Sequence, residues 1–364
     1  MKAQGIFLTG YPGFLAGRLF TKLWQRFGNE RHYHFLVEAR FLKSAEAGLS
    51  ALAQEAPELQ NRYTLWAGDL TLPNFGLQEA DLASLRAHVV QVWHLAAIYD
   101  LHVPADLAFA VNVEGTERVL DFCSSLQSLD SIQYISTCYV AGDRTGLILE
   151  SELDQGQGFK NHYESTKFEA EKRVQARWQD LPTTIHRPAI VVGDSKSGET
   201  VKGDGPYFLL QFLKRLPAWF PMPHFGPSQV GFNVVPVDWL VAAMDFLAAD
   251  PRTRGEVLQL ADPQPWTGRQ WMEAFLQALN RSAPRWTLPK TLAEAMIRLP
   301  GVPRLTGIPR EAFVYFNHPA RYSSDRCMSF LQDGGPNLPR PETYAEALAA
   351  FAMAHPEIYR RPTR

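Results

Sequence analysis

The stretch "YESTK" places Tyr163 and Lys167 four residues apart. On a helix, side chains at that spacing share one face, one turn above the other. A lysine ammonium beside a phenol favours the phenolate and lowers its pKa. A group that titrates at about 10 when free is thereby drawn toward acid–base work at neutral pH. Upstream, "YISTCYVAG" reads as a strand ending in two hydroxyls, Ser136 and Thr137. A hydroxyl there can hold a carbonyl oxygen or an alkoxide beside the phenol. Taken alone, Tyr163 and Lys167 also fit a solvated helix pair, so the surrounding elements have to decide.

Those elements alternate. "GIFLT", "YHFLVEA", "YTLWAGD", "VVQVWHLAA" and "SIQYISTCYVAG" read as strands. "AGRLFTKLWQRF", with Leu19, Leu23 and Phe27 on one face, reads as a helix, as do "AEAGLSALAQEAPEL" and "HYESTKFEAEKRVQARW". Strand–helix alternation predicts a parallel sheet covered on both faces, with ligands at the C-terminal strand ends. After Gly193 the texture changes. "GDSKSGETVKGDGP" reads as a loop, and "YFLLQFLKRLPAWFPMPHFGP" is dense in aromatics and proline. It fits an apolar substrate slot or plain packing of the C-terminal part. "FNVVPVDWLVAAMDFLAADP" and "EVLQLADPQPWTGRQWMEAFLQAL" return to strand and helix, and "PETYAEALAAFAMAHPEI" closes with Tyr344, Leu348 and Phe351 on one face. The expected fold is α/β, a doubly wound parallel sheet of the Rossmann type. Residues 1–195 form the nucleotide-binding domain, to which 229–262 returns. Residues 196–228 and 263–364 form a smaller, mainly helical, substrate-binding part.

"TGYPGFLAG" follows the first strand. Gly10 and Gly13 can take angles other residues avoid, and Pro12 keeps the turn itself from becoming helix. The helix that follows points free N–H groups at whatever sits over the turn. Glu38 closes the second strand roughly 20 residues on, where an acid takes the ribose hydroxyls of NAD. Arg40, or Arg18 on the first helix, would instead suit the 2′-phosphate of NADP. The two pulls oppose each other, so the cofactor is read as NADP(H) or NAD(H). Asp69 closes the third strand. "HLAA" closes the fourth, with Ala96 and Ala97 small enough for close cofactor approach. His94 reads as a packed strand histidine, since no metal-ligand spacing surrounds it.

With 364 residues and 46% apolar composition the chain can bury a substantial core. Its net charge of -2, with both signs interspersed, gives no footprint for nucleic acid. Cys123, Cys138 and Cys327 are widely spaced, which points away from a disulfide scaffold or a zinc site and toward a reducing compartment. The N-terminus lacks a long apolar run, and no stretch reads as a transmembrane helix. The expected setting is cytoplasmic.

Glycine turn, "HLAA", hydroxyl strand, tyrosine–lysine pair and "HRPAIVVGD" occur in that order. The set resembles the extended short-chain dehydrogenase/reductase superfamily over about residues 5 to 262. The resemblance matches the family's glycine motif to Thr9, Gly10, Gly13 and Ala16, and its adenine-side acid to Asp69. Its hydroxyl falls on Thr137 rather than Ser136, its acid–base pair on Tyr163 and Lys167, and its helix asparagine on Asn112. It implies a cofactor surface of Thr9, Gly10, Pro12, Gly13, Phe14, Leu15, Glu38, Arg40, Asp69, Leu70, Leu95, Ala96, Ala97, Tyr163, Lys167, Pro188 and Ile190. Tyr163 would exchange a proton with the reacting oxygen, Thr137 would hold that oxygen, and Lys167 would bind the nicotinamide ribose. Glu38 departs from NADPH-using relatives, which often carry arginine there. "STCYVAG" and "HRPAIVVGDSKSGE" look most like the thioester-reductase and fatty acyl-CoA reductase branch, implying a lipophilic acyl thioester, aldehyde or ketone. A sugar-nucleotide epimerase or dehydratase, with Lys202, Lys214 and Arg215 as the available diphosphate cations, stays open. So do a hydroxysteroid-type dehydrogenase and a non-catalytic NAD(P)-binding sensor or assembly factor. Homodimers are common in the superfamily. The tail around 291–327 could cover the substrate mouth, touch a membrane surface or pack as a core helix.

Overall fold

The apolar runs fold as buried strands because only a sheet covered on both faces hides consecutive large side chains. In the computed structural model β1 (Gln4–Thr9) is buried at every position after its first. Ile6 and Leu8 face one core while Phe7 faces the other, as the two-residue side-chain period of a strand requires. The structure describes residues 4–99, 103–217, 220, 223–225, 230–284, 287–288 and 318–359.

Six further strands join β1: β2 (Arg31–Val37), β3 (Tyr63–Ala67), β4 (Val89–His94), β5 (Ser131–Ile135), β6 (Thr183–Pro188) and β7 (Val257–Leu260). All pair in parallel, in the order β7-β6-β5-β4-β1-β2-β3. The winding direction reverses between β1 and β4, whose last residues Thr9 and His94 are register partners. A crevice opens above such a reversal, and it is where this architecture binds ligands.

Helices α1 (Phe14–Phe27) and α2 (Leu42–Glu55) cover one face, and α3 (Glu79–His88) the other. With α3 lies α4, a helical run from Ala105 to Ser124 with a π-helical turn at Ala110–Glu114. The same face carries α5 (His162–Ala176). A third core gathers α6 (Tyr207–Arg215), α8 (Gly268–Ala278) and α10 (Ala345–Ala354) around the buried Trp271 and Tyr344. Between these, α7 (Val237–Ala248) packs on α1, and α9 (Asp325–Leu331) packs on α7 and β7. Cys327, Phe330 and Leu331 of α9 enter the sheet's own core. Among the described residues no helix is long and apolar enough to cross a membrane.

The sequence and the structure differ at strand ends. "SIQYISTCYVAG" stays strand only to Ile135, and Cys138–Ala141 forms a 3-10 turn. The Thr137 hydroxyl accepts from Tyr139 N–H at 3.2 Å and caps that turn, so it competes with the ladder for backbone donors. Likewise β4 ends at His94, and "LAA" leaves the sheet. Tyr207, Leu209, Leu210 and Leu213 are buried in the third core, which favours packing over slot lining for that part of the aromatic segment. Most of 218–229 and all of 289–317, including most of the proposed amphipathic tail, lie outside the described residues.

Candidate active site

Gly10 adopts a φ of +90°, and a Cβ there would sit 2.9 Å from the backbone N of Ala96. Only glycine lets the β1 turn close against the end of β4. Gly13 N–H donates to the Gly10 carbonyl at 2.8 Å, and a Cβ on Gly13 would meet that oxygen at 2.7 Å. Gly13 caps α1 with no side-chain hydrogen bond, and the first turn carries no acid. The free N–H groups and positive end of a four-turn helix therefore face the crevice, which suits a diphosphate. Pro12, Phe14 and Leu15 frame this turn, and Ala16 is buried beneath it.

The Thr9 side chain is buried against β4. Its hydroxyl pairs with His94 Nδ1 at 2.8 Å and accepts from Ala96 N–H at 3.1 Å. His94 Nε2 lies 3.0 Å from the Thr116 hydroxyl, which donates to the Asn112 carbonyl at 2.6 Å. Thr116 thus accepts from Nε2–H, and Nδ1 accepts from Thr9. Burial, and then the Lys167 charge, hold His94 down to about 3, so it stays neutral. It is a packed strand histidine that ties β1 to β4 and α4. Asn112 sits in the π-helical turn. Its amide bonds Ile98 N–H at 2.8 Å, Ile98 carbonyl at 2.9 Å and the Thr166 hydroxyl at 3.0 Å. It fastens the loop that carries Leu95, Ala96 and Ala97 to α5.

Just past β3, Asp69 Oδ1 accepts from Thr71 N–H at 2.7 Å and from its hydroxyl at 2.8 Å. Leu70 is buried, and Gly115 lets α4 approach it closely. Glu38 and Arg40 pair with each other at 2.7 Å, and Arg18 pairs with Glu199 at 2.6 Å. The Glu38–Arg40 pair is solvent-exposed and the Arg18–Glu199 pair partly so, which keeps both weak and leaves a phosphate or a ribose able to compete for a partner. Pro188 ends β6 and is buried. Ile190 follows in a short strand, Ile190–Val192, paired with Val234–Pro236.

Tyr163 and Lys167 share a face of α5, whose N-cap Asn161 accepts from Glu164 N–H at 3.0 Å. Their partners differ from the sequence expectation. Tyr163 is half-buried with the Thr137 side chain as its hydrogen-bonding neighbour, and burial pushes its phenol up to about 12. Lys167 is buried and donates to the Tyr134 hydroxyl at 2.9 Å and to the Ile135 carbonyl at 2.7 Å. Desolvation lowers it to about 7, partly offset by Glu171. Burial outweighs the lowering by the Thr137 hydrogen bond, and the lysine is directed at other oxygens.

Two residues that sequence reasoning missed, Glu171 and Arg187, hold this floor together. Glu171 lies one turn beyond Lys167 and is fully buried against Arg187, with contacts of 2.5 to 3.1 Å. It also accepts from the Ser136 hydroxyl at 2.5 Å. Ser136 is thereby committed inward and Thr137 is left to the crevice. The i+4 spacing from Lys167 to Glu171, with the arginine of "HRPA", is the signal that could have found them. The described residues hold no cluster of three potential metal ligands.

A doubly wound sheet, a glycine turn at its reversal point and a Tyr-x-x-x-Lys helix beside it define an extended short-chain dehydrogenase/reductase. The NAD-binding family model described as "Male sterility protein" matches residues 8–244, and the chain belongs to that family. Fatty acyl-CoA reductase wat of Drosophila melanogaster is 25% identical over 277 residues, 67% of this chain and 53% of that protein. Nonribosomal peptide synthetase asaC of Aspergillus flavus is 25% identical over 276 residues, 71% of this chain and 26% of that protein. The terminal R domain of the myxalamid PKS-NRPS biosynthetic pathway has the same fold, with a TM-score of 0.81 at 22% identity, covering 99% of this chain and 93% of that one. UDP-glucuronic acid 4-epimerase from Bacillus cereus, in complex with NAD, reaches 0.67 at 17% identity, with 98% of each chain covered. The chain spans about half the length of the fatty acyl-CoA reductases it matches. NAD(P) is the cofactor class of the family, and the turn and the uncapped α1 fit it.

Proposed function

We propose that the chain is an NAD(P)-dependent reductase that reduces the carbonyl of a lipophilic acyl thioester, with Tyr163 as proton donor. The observation that carries this reading is a half-buried, protonated phenol beside the Thr137 hydroxyl, past the C-terminal end of β5 and one helical turn from a buried lysine. The Gly10–Gly13 turn and the α1 N-terminus bind the diphosphate, and Asp69 and Leu70 bound the adenine side. The dinucleotide supplies the hydride when bound. Lys167 offers its remaining N–H to a ribose hydroxyl, Thr137 holds the substrate oxygen, and Tyr163 gives that oxygen its proton. A phenol raised to about 12 is protonated at neutral pH and so carries the proton that the reductive step needs. Hydride addition and protonation turn a thioester into a hemithioacetal, which expels the thiol and leaves an aldehyde. The acyl thioester is supported by the likeness to fatty acyl-CoA reductases and to a nonribosomal peptide synthetase.

The test is oxidation of NADPH or NADH by purified protein with long-chain acyl-CoA, followed by absorbance and by aldehyde trapping. Turnover by the wild type and none by Tyr163→Phe supports the assignment. Equal turnover by both removes Tyr163 from the mechanism.

A further inference from the structure

Tyr134 has no role in the reading above, yet it touches its central lysine. It is fully buried in the middle of the sheet on β5, with its ring 4.4 Å from Lys167 Nζ and its hydroxyl 2.9 Å away. An ammonium has three N–H donors. Tyr134 and the Ile135 carbonyl take two of them, both from β5. A buried lysine with two of its donors fixed by one rigid strand has a single direction left for the third. The phenol is held in turn, because its other hydroxyl neighbour is Thr116 of α4, which already donates to the Asn112 carbonyl. Burial keeps Tyr134 protonated, so it meets the ammonium as a neutral acceptor.

We propose that Tyr134 is the positioning residue for Lys167: its phenol oxygen, with the Ile135 carbonyl, fixes the ammonium so that the third N–H addresses the dinucleotide. The proposal rests on the reading of Lys167 as the ribose-binding lysine. It differs from the expected pairing, in which Lys167 serves the phenol of Tyr163.

The groups facing Lys167 come from four elements. His94 of β4 is neutral, Tyr134 and the Ile135 carbonyl come from β5, and Tyr163 and Glu171 come from α5. Arg187 of β6 neutralises Glu171. Among these, Tyr134 supplies a hydrogen bond to the charged form that phenylalanine cannot. Removing it disfavours the ammonium, which desolvation already lowers to about 7. Reduced-cofactor binding should therefore weaken as pH rises through the Lys167 pKa, and Tyr134→Phe should move that midpoint to lower pH.

The experiment is titration of NADPH and NADH into the full chain by fluorescence, from pH 5.5 to 9, for wild type, Tyr134→Phe, Tyr163→Phe and Lys167→Met. The expected result for Tyr134→Phe is an alkaline loss of affinity displaced by about one pH unit, a tenfold change in the protonation equilibrium. Its affinity at low pH should stay within about threefold of wild type. A Tyr134→Phe midpoint equal to wild type, or a uniform loss with an unmoved midpoint, overturns the proposal. Should Tyr134→Phe fail to fold, site-specific 4-methylphenylalanine at 134 keeps the volume and removes the acceptor. It must then shift the midpoint in the same direction, or the proposal falls. Lys167→Met is the check on the parent reading. If it binds cofactor with the wild-type pH dependence, Lys167 is not the ribose lysine and both ideas fail. If it abolishes that dependence while Tyr134→Phe does not move it, only the proposal fails.

Discussion

Single side chains in this molecule are defined less by type than by which of their neighbours they face. Ser136 and Thr137 are adjacent hydroxyls, yet one is tied to Glu171 and the other caps a turn at the crevice. No periodicity in "ISTC" separates them; the separation follows from a carboxylate on α5. Tyr163→Phe should lower turnover by at least about a hundredfold, the usual scale of one general acid. Its low-pH cofactor affinity should match wild type in the fluorescence titration above. Gly10→Ala would force a φ of +90° on a residue with a Cβ and press it against the Ala96 backbone. The strain alone costs about 1–3 kcal/mol, so a drop in melting temperature together with loss of NAD(P)H binding is expected. Glu38→Gln removes the carboxylate paired with Arg40 and leaves the guanidinium to a 2′-phosphate. The ratio of NADPH to NADH affinity should rise severalfold; an unchanged ratio would take Arg40 out of the cofactor site.

Elements were legible where burial dictates them. The continuous apolar runs of β1 and β2 and the amphipathic stripe of α1 announce themselves, because nothing but a covered parallel sheet accommodates them. Ends were not legible, since a strand stops where a local hydroxyl or a tertiary partner takes its donors, as at Thr137. The i+4 spacing of Tyr163 and Lys167 correctly gave a shared helix face. It could not reveal that Lys167 turns to Tyr134, because that contact joins α5 to a strand residue 33 positions earlier in the chain. The strut holding α5 to the sheet is the Glu171–Arg187 pair, both partners fully buried. Glu171→Gln would leave the Arg187 charge in the interior without a counter-charge, a loss of about 3–5 kcal/mol. Urea denaturation should register it, and Ser136 would lose its carboxylate acceptor at the same time.

At the scale of the whole molecule, three histidines lie inside the sheet on three different strands: His34 on β2, His94 on β4 and His186 on β6. Burial lowers each from 6.5 to about 3. As pH falls below about 6.5 the unfolded chain takes up these protons while the fold refuses them, so unfolding is favoured progressively down to about 3. Stability measured by circular dichroism should decline through that window, with proton uptake on unfolding at pH 5. A flat profile between pH 6.5 and 4 would contradict the sheet environment described for them. The sequence marked His94 as a packed strand histidine; the burial of His34 and His186 emerges only once the sheet is covered.

The placement of α9 bears on how the protein can be cut down for study. Glu150 accepts hydrogen bonds from the backbone N–H groups of Gln259 on β7 and of Arg326 and Cys327 on α9, between 2.7 and 3.0 Å. A carboxylate from the middle of the chain thus clamps a late helix to the sheet's outer strand. A shortened version ending before Asp325 would strip that clamp of its two α9 donors and open the apolar wall formed by Leu258, Leu260 and α7. A nucleotide-binding half prepared on its own therefore has to carry α9 with it, as a second polypeptide or through a spliced linker.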